Sequence, residues 1–399
     1  MCAMSVHNDH PMRTDRSLLV IIPDRLSALV EKGEVQPCYY NPGNFFRRID
    51  IVMTNDDRPD EDAVRPMVGT AEVVFHNLPE TTEWMGLPPK RALACLERWA
   101  QPGIALARRL RPALIRCHGV DFNAFAGACI RQALNIPLVV SVHTNPDESP
   151  VRRRPFGTAE DRATVAAYDA MERFALAHAD AVLPVYRSAL PYLCRMNAPN
   201  VQVAYNILNG EALRRKESYR LGQPPHILCA GRQYHEKNPS NLMRAVAFLP
   251  GVRLTLVGDG PLHTSLRRLA EELGLAARVD FIPSLPNGQL CGRLPEFDLF
   301  AIHSDAAEIN KCTLEALLTG LPVIVTRRIG LPVPEFEEQD IVHLTEDGVD
   351  AWWHSLSALL ADDASREALG RRARLHAEKH WSPRITEAKI VSLYQVLIQ

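Results

Sequence analysis

Short apolar runs recur along the chain, and longer stretches with helical periodicity separate them. In the first half the runs are "LLVIIP", "RIDIVMT", "AEVVFHN", "ALIRCHG", "LVVSVHT", "AVLPVY" and "VQVAYN". In the second half they are "HILCAG", "RLTLVGDG", "VDFIPS", "LFAIHS", "PVIVT" and "IVHLT". Between them lie helical patterns such as "KRALACLERWAQPGIALARRL" and "AEDRATVAAYDAMERFALAHA". Runs that are apolar nearly throughout predict strands buried on both faces, and strand–helix alternation predicts parallel sheets covered by helices. The rhythm breaks at residues 208–225, "LNGEALRRKESYRLGQPP", where charge and Pro/Gly read as a linker. The pattern therefore predicts a disordered polar tail over residues 1–16, a Rossmann-like domain over 17–207, the linker, and a second Rossmann-like domain from 226. Ligands of open α/β sheets sit beyond the carboxyl ends of the strands, so candidate chemistry belongs where each strand stops.

Composition agrees with this division. A chain of 399 residues exceeds one ordinary core. Its 46% hydrophobic and 23% charged residues describe a globular protein, and a net charge of −2 gives no electrostatic footprint for nucleic acid. Nine cysteines contain no C-x-x-C pair, so neither a zinc knuckle nor a disulfide framework is indicated. The odd count without a secretory signal predicts reduced thiols and a cytoplasmic location. "LLVIIP" is too short for a signal core or a membrane span.

The second domain carries the denser chemistry. In "CAGRQYHEKNPSNLMRAV", Gly231 ends a strand, and Arg232 and Lys237 follow before a helix. Two cations at a strand end can hold a phosphate pair, and the same residues read equally well as a solvated loop. Gly258-Asp259-Gly260 lacks the third glycine of a dinucleotide fingerprint, His263 standing in its place, and reads as a tight turn. In "EINKCTLEALLTGLPVIVT", Asn310 is a good N-cap, which leaves the N–H groups of Lys311, Cys312 and Thr313 at the positive end of a helix. Such an end attracts a pyrophosphate. Glu315, one turn in, can accept from a ribose diol, and Glu308 precedes the cap. By position alone these glutamates also fit a dipole complement and a solvated loop residue.

In the first domain His118 and His143 close two strands that face the cleft. Asp60-Glu61-Asp62 spells the Asp-x-Asp of metal-dependent glycosyl transfer, but its setting, "NDDRPDED", reads as a solvated loop. "VRRRPF", at 151–156, is compatible with an anionic acceptor or a membrane surface and equally with solvent; peripheral membrane contact is not indicated.

In the order of its motifs, the stretch from Ile227 onward resembles the family 4 glycosyltransferases of the GT-B fold. "AGRQYHEKN" is similar to the family's phosphate loop, "LVGDGPLHTSLRRLAEELGLAARVDFIPS" to its next strand–helix–strand unit, and "EINKCTLEALLTGLPVIVT" to its paired-glutamate helix. "HWSPRITEAKIVSLYQVL" resembles a terminal helix, here 384–399, that crosses back to the first domain, closing the second at 383. "PALIRCHG" and "IPLVVSVHT" resemble the family's histidine-bearing strand ends more loosely.

The resemblance implies two Rossmann-like domains across a cleft and retaining transfer from a nucleotide-sugar to a hydroxyl acceptor. It also implies no metal and no cofactor, the nucleotide-sugar being a substrate. Gly231, Arg232, Lys237 and the Asn310–Thr313 turn would hold the diphosphate, Glu315 the ribose, and residues at and after Ile282 the base. Glu308 would face the donor sugar and His143 the reacting centre, with His118 and Thr144 on the acceptor side. Two departures stand out. Six residues separate the glutamates where the family has seven, placing Ala307 at the expected position. "IIPDRLSAL" replaces a Gly-rich turn, for which Gly43 in "YYNPGNFF" is the substitute. A nucleotide-sugar epimerase and a non-catalytic nucleotide-sugar-binding protein of the same fold are the alternatives.

Overall fold

The computed structural model describes residues 14–149 and 157–399; residues 1–13 and the basic run at 151–156 lie outside them. The first sheet contains β1 (Thr14–Ile22), β2 (Phe46–Met53), β3 (Glu72–Asn77), β4 (Leu114–His118), β5 (Leu138–Val142) and β6 (Ala181–Pro184). The second contains β7 (His226–Ala230), β8 (Arg253–Val257), β9 (Val279–Ile282), β10 (Leu299–Ile302), β11 (Val323–Thr326) and β12 (His343–Thr345). Their spatial orders are β3-β2-β1-β4-β5-β6 and β12-β11-β10-β7-β8-β9. Counted within each half, both follow the doubly wound order 3-2-1-4-5-6, with every named pair of strands parallel. Leu18 to Ile22 and Leu114 to His118 are buried at every position, as strands covered on both faces must be.

Three sequence expectations change. Thr14, Asp15 and Arg16, expected in the tail, belong to β1, and the rest of the expected tail lies outside the described residues. "VQVAYN" is not a strand. Val201 makes a single bridge to Val182, and the ladder stops there because Pro184 has no N–H to continue it. The charged segment 208–225 is fastened to the second domain. Lys216 is 5% exposed and donates to the carbonyls of Pro295 (2.9 Å) and Phe297 (2.6 Å), and burial lowers its pKa. Tyr219 donates to Gly320 O at 3.0 Å, and Arg366 donates to Tyr219 O at 2.9 Å.

The final helix, Pro383–Leu397, lies on the first domain although it follows the second in sequence. Ile390, Val391, Leu393 and Tyr394 share a buried cluster with Leu18, Phe45, Phe46 and Leu114. The Tyr394 ring sits 5.6 Å from Phe46 and 6.4 Å from Phe45, centroid to centroid, and its hydroxyl accepts from Arg116 at 3.0 Å. Replacing Tyr394 by Ala removes a fully buried ring, which is expected to cost about 3–5 kcal/mol. The urea midpoint of the first domain should fall accordingly; an unchanged midpoint would mean that the helix adds nothing to that core.

Candidate active site between the domains

The carboxyl ends of both sheets open on one cavity of about 890 Å³. His118, His143 and Thr144 line it from the first domain, and Gly231, Arg232, Lys237, Glu308, Asn310, Lys311 and Cys312 from the second. Glycine is required where the two loops of the second domain meet. Gly258 has φ +133°, and a Cβ there would come within 2.1 Å of Gly231 O. The Gly-x-Gly is thus a close backbone approach that packs the Gly231 loop in place.

The Lys311–Thr319 helix forms as its sequence requires. Asn310 caps it, accepting from Thr313 N at 2.8 Å, and Gly320, at φ 84°, ends it in the left-handed region. The cap uses the Thr313 N–H, so of the three amides expected to be free, Lys311 and Cys312 remain. Thr313 itself is buried and does not line the cavity. Ile282 is likewise absent from the lining; its carbonyl accepts from Gly258 N at 2.9 Å, and Pro283, Ser284 and Leu285 face the cavity instead.

Lys237 forms an ion pair with Glu308. The backbone before Glu308 is held from across the cleft, where Ser188 Oγ donates to Ala307 O at 2.5 Å. The residue at the family's expected glutamate position therefore serves as an interdomain contact, while its neighbour carries the carboxylate into the cavity. Glu315 has no exposed surface. Its Oε1 accepts from Asn287 Nδ2 at 2.8 Å and from Gln36 Nε2 at 3.5 Å, and the Cys291 thiol lies against the carboxylate. Oε2 is buried without an N–H or O–H donor, and the residue does not itself line the cavity. Burial pushes this carboxyl up, against the lowering effects of the Asn287 hydrogen bond and the Lys311 charge.

On the opposite wall the His118 and His143 rings stack at 4.8 Å and 17°. Burial, then the Arg116 charge, holds His118 well below its ordinary range and brings His143 down to about 3. Both imidazoles are neutral near pH 7, and Nε2 of each is buried without a hydrogen bond.

Gly43 does not line this cavity. It stands at φ 62° in the turn beneath the final helix, where its amide bonds the Glu387 carboxylate. Asp60, Glu61 and Asp62 are also elsewhere: Asp60 caps a short helix by accepting from Asp62 N at 3.1 Å, and Glu61 and Asp62 face Arg65.

First-domain residues of the cavity lining that sequence reasoning missed include Asp24, Gly33, Gln36 and Tyr39. The Tyr39 ring carries Lys311 Nζ 4.4 Å from its centroid, and neighbouring Tyr39, Glu34, Glu315 and Asp24 raise the Lys311 pKa against burial. Gly33 O accepts from Asn287 N at 2.9 Å, and a Cβ on Gly33 would lie 2.7 Å from Pro286 Cα. "YYNPGNFF" held a signal for Tyr39 in its paired tyrosines; Gln36 and Asp24 had none.

The family profile "Glycosyl transferase 4-like domain" matches residues 47–206, and "Glycosyl transferases group 1" matches residues 212–376. The GDP-mannose-dependent alpha-(1-6)-phosphatidylinositol monomannoside mannosyltransferase of Mycolicibacterium smegmatis is 30% identical over 191 residues, 45% of this chain and 50% of that protein. The D-inositol 3-phosphate glycosyltransferase of Corynebacterium efficiens is 29% identical over 296 residues, 67% of this chain and 68% of that protein. The chain thus spans half of the first relative and about two thirds of the second. The crystal structure of Anabaena HepE with UDP and glucose matches with TM-score 0.71 at 17% identity, over 95% of this chain and 99% of that one. Two doubly wound domains facing across a cleft make this a GT-B fold. The chain belongs to the group 1, family 4 glycosyltransferases.

Between about pH 6.5 and its folded pKa, each cleft histidine binds fewer protons folded than unfolded. The stability it contributes is complete above pH 6.5 and is lost as pH falls, toward about 3 for His143. In His143→Gln the urea midpoint should therefore decline less between about pH 7 and about pH 4. A decline as steep as in the unmodified protein would rule out a buried neutral His143.

Proposed function

We propose that the protein is a retaining glycosyltransferase that moves a sugar from a nucleoside-diphosphate donor to a hydroxyl acceptor. One observation carries the reading: two uncapped N–H groups, the Lys237–Glu308 pair and a buried glutamate with a free oxygen meet at one helix start beside the cavity. The helix end and the nearby cations Arg232, Lys237 and Lys311 favour an anion whose charge grows as the leaving diphosphate departs. Glu315 Oε2 offers an acceptor to a ribose hydroxyl. Glu308, freed when phosphate engages Lys237, turns to the hydroxyls of the transferred sugar.

In a front-face mechanism the leaving phosphate and the attacking hydroxyl share a side, and the phosphate oxygen removes the hydroxyl proton. The protein then needs charge stabilisation rather than a nucleophile. Neutral His143 supplies a hydrogen bond to the sugar or acceptor. That one relative is named as GDP-mannose-dependent, and that HepE was crystallised with UDP and glucose, supports a nucleotide-sugar donor.

A panel of nucleotide sugars tested for thermal stabilisation identifies the donor, since ligand at 100 times its dissociation constant adds about 2.7 kcal/mol. NMR of the product should show the anomeric configuration of the donor; inversion would overturn the retaining assignment. Lys237→Ala should weaken nucleoside diphosphate by about 1.5–3 kcal/mol, roughly 10- to 150-fold, and leave nucleoside binding nearly unchanged. Equal losses for both ligands would remove Lys237 from the phosphate site.

The glutamates should separate in the same assays. Glu315→Ala should weaken the bare nucleotide by about 1–3 kcal/mol, whereas Glu308→Ala should lower turnover at nearly constant nucleotide affinity. Transfer at the unmodified rate in Glu308→Ala would make that carboxylate a bystander. Activity is expected to persist in EDTA, and loss restored by manganese or magnesium would show metal dependence.

A further inference from the structure

A buried charge that the donor site does not use lies behind the stacked histidines. Arg116, in β4, is 4% exposed, and among the described residues its side-chain hydrogen bonds go to two hydroxyls and to no carboxylate. Its Nε donates to Ser141 Oγ at 3.1 Å, and a terminal nitrogen donates to Tyr394 Oη at 3.0 Å. Burying a guanidinium without a counter-charge is unfavourable, so a position needing only to be filled would be better served by an apolar residue.

The register gives this arrangement a direction. Arg116 stands two residues before His118 on β4, and Ser141 two before His143. Side chains two apart on a strand share a face. Ser141 is also the pairing partner of His118. The Arg116–Ser141 hydrogen bond therefore spans the same two strands whose ends carry the histidine pair, on their face of the sheet.

We propose that Arg116 is a positioning residue for sugar transfer: it ties β4 to β5 and to the final helix and holds its guanidinium behind the two imidazoles, so that His143 meets the sugar as a ring of set orientation. The inference rests on the transferase reading above. A neutral ring can present Nε2 as donor or acceptor, whereas an imidazolium can only donate.

The groups that face the pair are few. Tyr39 and Tyr40 approach from the turn before β2, with centroids 5.6 and 5.3 Å from His118. Tyr186 donates to His143 O at 3.2 Å, Asn206 bonds the His143 side chain, and Lys311 reaches in from the second domain. Asp24 acts on Lys311 and Tyr40. Arg116 is the cation that belongs to the histidines' own sheet, and its charge, after burial, lowers both of them.

Arg116→Met and Arg116→Lys, made in the full chain, test this by histidine NMR titration, nucleoside diphosphate calorimetry and the pH dependence of transfer. Arg116→Met should keep nucleoside diphosphate affinity within about two-fold and slow transfer by about ten-fold or more. The His118 and His143 midpoints, and the acid limb of the rate, should rise by roughly one pH unit, because a positive neighbour that disfavoured protonation is gone. Arg116→Lys should return the midpoints toward their original values.

Unchanged midpoints in Arg116→Met would overturn the proposal whatever the rate, as would shifted midpoints with undiminished transfer. If Arg116→Met does not fold, Ser141→Ala and Tyr394→Phe each remove one tether while the charge stays. Both should slow transfer at constant midpoints, and full-rate transfer in both would overturn the tethering role. If the unmodified protein transfers no sugar from any donor, the transferase reading fails by itself. The titrations then still report whether Arg116 controls the rings.

Discussion

A carboxylate with no exposed surface must be given hydrogen-bond donors, and at Glu315 that requirement organises the cleft. Its main donor is Asn287, at the start of a second-domain helix, and another is Gln36 from the first domain. Asn287 is itself held by the carbonyl of Gly33. Satisfying one buried acid therefore draws a loop of the first domain, the start of one helix and the interior of another to a single point. An unsatisfied buried acceptor costs about 1–3 kcal/mol, more when charged, so the three elements have reason to stay together. On the proposed reading, the oxygen left over makes the junction a binding site as well as a joint.

The same economy appears at the phosphate end. Lys237 and Glu308 neutralise each other, with side chains only 19% and 23% exposed. Neither charge is stranded in its half-buried place. On the proposed reading, a diphosphate takes the lysine and releases the glutamate toward the sugar, so an exchange of partners within one site couples the two halves of the donor. The aromatic contact of Lys311 with Tyr39 adds a cation–π link from the second domain to the first at the same helix start.

Much of this was legible in the sequence because it rests on local rules. Unbroken apolar runs marked twelve strands, and the Asn310 cap and Gly320 stop marked the helix that carries Glu315. Sequence reasoning failed where tertiary contacts decide. "VQVAYN" looks like a strand until Pro184 is seen to end its partner ladder. Lys216 looks like linker charge, yet it is buried against two carbonyls. Gly43 reads as the substitute for a Gly-rich turn, yet it is Tyr39, four residues earlier, that faces the cleft, because nothing local says which side of a turn meets the other domain. Glu308 was readable as a carboxylate near the site, and its lysine partner was not, since the two meet only when β7 and β10 pair side by side.

The final helix has a consequence for how the protein is made. Ile390, Val391, Leu393 and Tyr394 complete a core whose other members lie hundreds of positions earlier, among them Leu18 and Phe46. As the chain leaves the ribosome, the first domain emerges with Phe45, Phe46 and Arg116 facing an unfilled groove, and it stays so while the entire second domain is being synthesised. Until residues 390–394 arrive, that groove is an apolar surface open to chaperones and to other nascent chains. The first domain is thus the first to be translated and the last to be finished.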